Sequence, residues 1–398
     1  MKKTLFKNTK VGVSKFLVDV LIEGGLISAI GPALSVSNEV EVIDSVGKVM
    51  LPLFVDGHAH IDKTLWGMPW HENDVPAELS EIIKNERNFR ANNEFDSFQQ
   101  SSEILKTYLM KGTGHVRTHI DVDTEIGVKH VEGVLETKRK YKDYMGIETV
   151  CFPQSGLLVR KGTIDVMSQA MAIGCDFVGG IDPSSFDRNP VKHLDTIFNL
   201  ADKSGAGIDL HLHEPGDLGA FSVELLIERT KALSMQGKVT LSHGFCLGEI
   251  APSYQAKLAK ALGELDISVA TTAPANRNVP PFGLLREHGV TISAGNDGIR
   301  DTWSPYGNGD MLQRAMFLGL KYRWRKDTEL ESALYSITEG GANMMQLNAY
   351  GIEVGSEASF VVIEAQNFAD AMMLQPLSRD VYISGKRVAS NGKLEVDL

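Results

Sequence analysis

Four histidines and one aspartate stand where the sequence predicts the ends of β-strands. His58 and His60 close an early run, His211 and His243 end two later runs, and Asp297 ends a last one. Side chains two residues apart point to the same side of a strand, so both imidazoles of an H-x-H pair can reach one ion. A lone histidine at a strand end is more often a structural residue, but five such residues together are far more specific. Ligands of this kind suit zinc or ferrous iron, which predicts one divalent metal ion per subunit.

Eight short runs rich in β-branched residues supply these ends, and each is followed by a helix-like segment. The runs are 53–60, 116–122, 148–153, 177–182, 208–213, 239–243, 267–272 and 290–297. Such alternation builds a parallel sheet, either closed into a barrel or open. The candidate ligands end the first, fifth, sixth and eighth runs, and barrel enzymes build their active sites at that face. We therefore predict an α/β fold with a (β/α)8 TIM barrel.

Three segments lie outside the repeating units. The connection at 65–114 includes a charged helical stretch at 78–93, and a connection of that length usually carries function or a lid. The terminal segments 1–50 and 350–398 contain several short strand-like runs. We expect these two segments to pair into a small β-sandwich-like composite domain, with residues 51–349 forming the metal-dependent barrel hydrolase domain.

The composition is that of an ordinary globular protein. Hydrophobic residues make up 43% and charged residues 23% of the 398 positions, and the formal net charge is −11. This charge argues against nucleic acid or an anionic membrane as a partner. The sequence shows neither a bilayer-spanning run nor the apolar core of a signal peptide, and its three cysteines form no CxxC pair. We expect a cytoplasmic homo-oligomer whose partners are a small molecule and water.

Several stretches of the chain resemble the amidohydrolase superfamily. These stretches are 55–64, which contains the H-x-H pair, and 117–122, 152–156 and 303–311. Together with His211, His243 and Asp297 in strand order, they are most similar to the cytosine deaminase branch and its relative N-isopropylammelide amidohydrolase. The resemblance covers nearly the whole chain.

The resemblance also implies the number of metal ions. Two-metal members of the superfamily carry a carboxylated lysine at the end of strand four, whereas 177–183 contains no lysine. A single ion is therefore implied. In such sites the ion lowers the pKa of its bound water towards roughly 7, so that hydroxide forms near neutral pH. Asp297 is then expected to bind the ion and to accept a proton from that water.

Two further residues have catalytic roles implied by the resemblance. Glu214 follows His211 by three residues, and in the cytosine deaminase branch a glutamate at this spacing shuttles a proton to the ring and then to the leaving ammonia. The alternative for Glu214 is an ordinary loop-surface position. His243 is expected either to bind the metal or to lie near the nascent oxyanion and stabilise the transition state.

The resemblance implies a substrate pocket as well. The amide of Gln154 is expected to read a carbonyl and a ring N–H of a planar heterocycle, between flat walls supplied by Phe152 and Trp303. For the two aromatic residues, a place in the core is a strong alternative. His213 is a further pocket candidate, and Lys63 is either an exposed charge or a substrate contact.

Other residues are candidates for orienting the site. His119 near the end of strand two either orients the metal ligands or caps the strand. Arg300 and Asp301 follow Asp297 and form a possible specificity pair.

The sequence departs from the cytosine deaminases at one informative position. Those enzymes carry a second aspartate directly after the metal aspartate, where it contacts the exocyclic amine, and here that position is Gly298. A site that lacks this partner is a poorer match for cytosine itself. The stretches 299–301 and 307–311 look more like the isopropylammelide enzyme.

These features predict a deaminase that acts on a small nitrogen heterocycle, either cytosine-like or aminotriazine-like. Metal-generated hydroxide would attack an sp² ring carbon and release ammonia or an amine. Two alternatives stay open. One is hydrolysis of a cyclic amide or of a ring N-alkylamine, and the other is a catalytically silent scaffold that keeps the fold.

Overall fold

The computed structural model describes residues 3–37, 39–76 and 78–398. Outside the described residues lie Met1, Lys2 and Asn38, which belong to the predicted terminal segment, and Ala77. The strands are β1 (Lys3–Val11), β2 (Leu17–Glu23), β3 (Leu26–Gly31), β4 (Glu41–Asp44), β5 (Lys48–Pro52), β6 (Phe54–Ala59), β7 (Thr113–Asp121), β8 (Gly146–Phe152), β9 (Phe177–Ile181), β10 (Gly207–Leu212), β11 (Val239–His243), β12 (Ser268–Thr271), β13 (Ile292–Ala294), β14 (Phe360–Glu364), β15 (Arg379–Ile383), β16 (Lys386–Ser390) and β17 (Lys393–Leu394). The helices are α1 (Leu79–Asn92), α2 (Ser97–Met110), α3 (Lys129–Tyr141), α4 (Thr163–Ile173), α5 (Pro190–Ser204), α6 (Gly216–Ala232), α7 (Pro252–Glu264), α8 (Phe282–Glu287), α9 (Met311–Tyr322), α10 (Asp327–Ile337), α11 (Glu339–Met344) and α12 (Phe368–Leu374), with a 3-10 turn at Phe245–Gly248. Among the described residues, no helix has both the length and the apolar character required to cross a membrane.

Strands β6 to β13 form an eight-stranded parallel sheet in which each strand pairs with the next along the chain. The sheet closes where Ala59, at the end of β6, forms a parallel bridge with Asp297, just past β13. We call this contact between the end of β6 and the residues just past β13 the seam. Across the seam, the backbone N–H of Asp297 donates to the carbonyl oxygen of His58 at 2.8 Å. Helices alternate with the strands, so the predicted (β/α)8 barrel is confirmed.

Glycines allow the first and last barrel strands to approach each other closely. A Cβ atom at Gly295 would lie 2.4 Å from the Cβ and the carbonyl oxygen of His58. A Cβ atom at Gly57 would lie 2.1 Å from Oγ of Ser293. A larger residue at Gly295 would press on the backbone of His58, which has little room to move, and one at Gly57 would collide with the Ser293 side chain. The last strand ends at Ala294, three residues earlier than predicted, because the chain crosses onto β6 at this point.

The remaining strands form one nine-stranded sheet from the two ends of the chain. Its order is β17-β16-β15-β14-β5-β1-β2-β3. The ninth strand, β4, runs parallel to the first half of β1, at Thr4–Lys7. The rings of Phe6, Phe360 and Tyr382 pack against one another in its core, with centroids 5.1 to 5.3 Å apart. Aromatic packing of this kind accounts for much of the cohesion of a small sheet.

A buried ion pair joins this sheet to the barrel. Two guanidinium nitrogens of Arg379, in β15, donate to the two carboxylate oxygens of Asp310 at 2.9 and 2.6 Å. Asp310 also caps α9, because its side chain accepts from the backbone N–H of Leu312. A third bond runs from Arg379 to the carbonyl oxygen of Lys111, just past α2. One guanidinium thus anchors the β-rich sheet to two barrel elements.

We predict that Arg379→Met lowers the free energy of unfolding by about 3–5 kcal/mol, because it leaves the Asp310 carboxylate buried without its partner. The matched control is Arg387→Met, which removes an exposed pair with Glu395 and should cost about 1 kcal/mol or less. Urea denaturation of the three proteins measures both effects. Equal stability losses in the two variants would contradict the anchoring role.

Candidate active site

The structure brings the predicted metal ligands together at the carboxyl ends of the barrel strands. Nε2 of His60 lies 3.3 Å from Nε2 of His211 and 3.4 Å from Oδ1 of Asp297. Donor atoms of His58, His243 and Asp297 also lie within 4.8 Å of one another. The four histidines are buried, whereas the Asp297 side chain is 39% exposed and faces the barrel mouth. The arrangement is a cage that opens on one side.

These distances fit a bound metal ion. Zinc binds imidazole nitrogen at about 2.0–2.1 Å, so two tetrahedral ligands lie about 3.3 Å apart. The distances from His60 to His211 and from His60 to Asp297 are close to this value. Nε2 of His58 is buried without a hydrogen-bond partner in the described part of the chain, and it lies 3.7 Å from Oδ1 of Asp297. A cation between these atoms would satisfy nitrogen lone pairs that otherwise face one another.

The protonation states also suit a metal site. Burial lowers the pKa values of His60, His211 and His243, so these imidazoles are neutral at pH 7. Burial opposes ionisation of Asp297, but the adjacent imidazoles of His58 and His60 outweigh it and hold its pKa well below the ordinary value. Neutral histidines and an ionised carboxylate are the forms that bind metal ions, so metal binding here would require little proton release.

Three strand ends at this site have left-handed backbone. His243 has φ 66°, Asp297 has φ 65° and Asp182, after β9, has φ 38°. Non-glycine residues rarely adopt this region, and such conformations cluster at functional sites.

Below the predicted ligands lies a polar layer, of which the sequence indicated only His119. Nε2 of His119 lies 3.2 Å from Oδ1 of Asp209, and its ring packs against those of His58 and His211. Burial lowers the pKa of His119 to about 3. Burial opposes ionisation of Asp209, yet its pKa falls to about 2. Because His119 is neutral at pH 7, the permanent charge of Arg117, 3.3 Å from Asp209, is the main partner of this carboxylate.

One side of the barrel mouth carries a network centred on Lys63. Its ammonium donates to Oε1 of Gln154 at 2.6 Å and to Asp121 at 3.2 Å, and it lies 3.4 Å from Glu86 of α1. Burial opposes protonation of Lys63, but Asp121 and Glu86 outweigh it and raise its pKa. Trp303 donates through Nε1 to Glu86 at 2.8 Å and places its ring 5.2 Å from the ammonium. Gln154 and Trp303 therefore share one wall, and Lys63 is a fixed positive charge within it.

Two other predicted site residues are engaged with the protein itself. Phe152 is buried and stacks on His211 at 4.0 Å between ring centroids, so it supports a predicted ligand. Glu214 accepts from the backbone N–H groups of Ser184 and Ser185 and from Oγ of Ser222 at 2.6 to 2.7 Å. In this conformation the Glu214 carboxylate holds the turn after β9, and its predicted shuttle role stays a prediction.

His213 faces an open pocket of about 700 Å³ beside the metal cage. Its Nδ1 lies 2.8 Å from Oδ2 of Asp182, and its ring packs 4.5 Å from that of His243. Burial opposes protonation of His213, but the adjacent Asp182 carboxylate outweighs it and raises the pKa. An imidazole paired in this way can hold and transfer a proton. Glu214 and Arg277 also line the pocket.

The glycine that departs from the deaminase pattern has a structural reason. A Cβ atom at Gly298 would lie 2.1 Å from Oδ2 of Asp301. Asp301 is held there by the backbone N–H groups of Trp303 and Ser304, which donate to its Oδ1 at 2.8 Å. The space that a second aspartate would need is thus filled by the Asp301 carboxylate.

Comparison with known proteins agrees with the site. The amidohydrolase family model matches residues 91–389. The chain belongs to this family. It is therefore a hydrolase of C–N bonds other than peptide bonds, as predicted from the sequence. The N-isopropylammelide isopropyl amidohydrolase of Pseudomonas sp. (strain ADP) is 31% identical over 334 residues, which cover 81% of each chain.

Two solved structures align with nearly the whole chain of this amidohydrolase. N-isopropylammelide isopropylaminohydrolase from Burkholderia multivorans is 42% identical with a TM-score of 0.94, covering 99% of this chain and 100% of that one. The 5-methylcytosine deaminase from Klebsiella pneumoniae is 24% identical with a TM-score of 0.85, covering 99% of both chains. The second likeness shows the shared fold.

We predict that Gly295→Ala weakens Zn²⁺ binding by about 10- to 100-fold, as expected when the orientation of a ligand is lost. The added methyl group would press on the backbone of His58 and displace it from Asp297. Gly283→Ala in α8 is the matched control, because a Cβ there meets nothing within 4 Å. Chelator competition measures both affinities. Unchanged Zn²⁺ affinity in Gly295→Ala would contradict the role of the seam.

Proposed function

We propose that this amidohydrolase hydrolyses an exocyclic C–N bond on a small oxo-substituted nitrogen heterocycle of the aminotriazine class, releasing an amine or ammonia. The observation that carries the proposal is that a candidate metal cage and a polar wall centred on Lys63 lie side by side at the same barrel mouth. The cage of His58, His60, His211, His243 and Asp297 suits one divalent ion, zinc or iron. The Lys63 network beside it offers donors to ring oxygens.

The cage residues would divide the work of the attack. A divalent ion, when bound, activates water as a nucleophile at neutral pH. Asp297 is open to the mouth and ionised, so its second oxygen can accept the proton that the attacking water loses. His243 lies between Asp297 and the His213 pocket, where its ring can donate to an oxyanion or complete the ligand set.

The Lys63 network would bind the ring. Because Oε1 of Gln154 accepts from Lys63, the Gln154 amide presents its NH₂ group to a substrate oxygen. Lys63 fixes the orientation of this amide, while its own charge is balanced by the carboxylates of Asp121 and Glu86. Trp303 supplies a flat surface fixed by its bond to Glu86. A ring with two or more carbonyl oxygens matches this set better than a ring with one.

The His213–Asp182 pair is the better placed proton donor for the leaving nitrogen. Its imidazole is on the pocket side, and Asp182 favours its protonated form. Protonation of the leaving nitrogen would collapse the tetrahedral carbon and expel a neutral amine. Glu214 could take part only after giving up its bonds to Ser184 and Ser185.

An aminotriazine is favoured over cytosine by the surroundings of Gly298. Asp301 fills the space of the amine-contacting aspartate, so that contact is lost. The relatives from Pseudomonas and Burkholderia, which are named for N-isopropylammelide, are more similar to this chain than the 5-methylcytosine deaminase is. This similarity supports release of an alkylamine as well as ammonia.

The test is amine and ammonia release by the Zn²⁺- or Fe²⁺-loaded protein from N-alkylamino-dioxotriazines, aminotriazines and cytosine. We expect the triazines to react and the rate to fall on chelation and return with metal. Asp297→Ala should lower kcat/KM by more than about 100-fold. Loss of a residue that only orients a ligand typically costs about 10- to 100-fold, and loss of a ligand itself should cost more. Asp195→Ala, an exposed aspartate paired with Arg229, is the control. Full activity in Asp297→Ala, or silence on every ring, would sink the proposal.

A second prediction concerns ring recognition. Gln154→Glu keeps an oxygen for Lys63 but removes the NH₂ donor, so we expect about 10- to 100-fold lower kcat/KM on an oxo-triazine, the cost of one unpaired polar group. Gln346→Glu, on the exposed surface, is the matched control. Steady-state kinetics on rings with and without the carbonyl oxygen distinguish loss of the hydrogen bond to that oxygen from general damage to the active site. An equal loss on both rings would argue against a hydrogen bond from Gln154.

A further inference from the structure

We propose that Asp209 and Ser242 form a hydrogen-bond relay that holds His58 in the one tautomer able to bind a metal ion through Nε2. The inference rests on the metal cage of the proposed function. It gives two buried side chains, neither of them a predicted ligand, a positioning role towards that ion.

The direction of the relay follows from what each group can donate. Oγ of Ser242 lies 2.5 Å from Oδ1 of Asp209 and 2.9 Å from Nδ1 of His58. A carboxylate can only accept, so the single hydroxyl proton of Ser242 goes to Asp209. Oγ of Ser242 can then only accept from His58. The ring proton of His58 therefore lies on Nδ1, and Nε2 carries a lone pair.

Arg117 fixes the direction at the far end of the relay. Its Nη1 lies 3.3 Å from Oδ2 of Asp209, and a guanidinium has donors but no acceptor. Arg117 is held in turn by Glu148 at 2.7 Å and by Thr240 at 2.8 Å. A permanent cation next to Asp209 keeps that side chain an acceptor. Reversal of the relay would need a proton on a carboxylate that faces Arg117.

The other end of the His58 ring shows what the relay accomplishes. Nε2 is fully buried, has no hydrogen-bond partner among the described residues, and points towards Asp297. A proton on that nitrogen would block the cage. Partners of this kind fix the ring orientation and tautomer of metal-binding histidines.

An isosteric substitution can reverse the relay without removing an atom. In Asp209→Asn, Arg117 would draw the amide oxygen to itself, so the NH₂ group would face Ser242. Ser242 would then accept from residue 209 and donate to Nδ1 of His58. The ring proton would move to Nε2, where it competes with the metal. Ser242→Ala instead leaves Nδ1 with no partner.

The experiment measures Zn²⁺ affinity of the full chain by chelator competition, together with the visible absorption of the Co²⁺ form. We expect Ser242→Ala and Asp209→Asn each to bind Zn²⁺ about 10- to 100-fold more weakly. The Co²⁺ spectrum of Asp209→Asn should change, because one imidazole leaves the cage. Ser242→Thr, which keeps the hydroxyl, should restore the wild-type affinity and spectrum.

Ser336→Ala is the matched control, because Ser336 is as fully buried as Ser242 and its hydroxyl donates to the Ala333 carbonyl oxygen within α10. It should keep Zn²⁺ affinity even if its apo form melts earlier. Wild-type affinity in both Ser242→Ala and Asp209→Asn would overturn the relay and leave the metal cage standing. An equal loss in Ser336→Ala would overturn it as general destabilisation. A wild-type chain that binds no Zn²⁺ would overturn cage and relay together.

Discussion

The seam between β6 and β13 is the constraint on which the site depends. This contact closes the barrel, and it holds the backbone of His58 next to that of Asp297 through a hydrogen bond. Gly57 and Gly295 make the approach possible, because side chains at these positions would collide with the opposite strand. One steric requirement therefore determines both the closure of the fold and the distance between an H-x-H pair and its carboxylate.

Charge is distributed around the cage so that the predicted ligands stay in the protonation states that bind metal ions. Cations lie outside the ligand set: Arg117 below pairs with Asp209, and Lys63 beside it pairs with Asp121. Each buried cation is compensated nearby, which limits the cost of removing it from water. The imidazoles of His60, His211 and His243 are neutral at pH 7, and Asp297 supplies the negative charge. An incoming divalent ion would thus find lone pairs and one anion rather than competing protons.

The sequence predicted what strand periodicity controls. The barrel and the convergence of His58, His211 and Asp297 followed from where polar residues end apolar runs. It missed Asp209 and Ser242, because their bonds join strands far apart in sequence and inward-facing polar residues give no local signal. The orientation of Glu214 and the burial of Phe152 likewise depend on the turn after β9 and on packing against a ligand. The boundaries of the terminal domain and the catalytic roles remain predictions.

Substrate choice depends on segments that the metal cage does not constrain. Glu86 lies on α1, in the long first connection, and it holds both Lys63 and Trp303. Asp301 lies in the loop after the last strand and occupies the space beside Gly298. Neither residue touches the seam, so the connections can change while the cage is retained. Barrel enzymes place variable loops over a rigid strand framework. In this chain, Glu86 of α1 accepts from the indole of Trp303 and lies 3.4 Å from the ammonium of Lys63, so α1 fixes the wall that would bind the ring in the function that we propose.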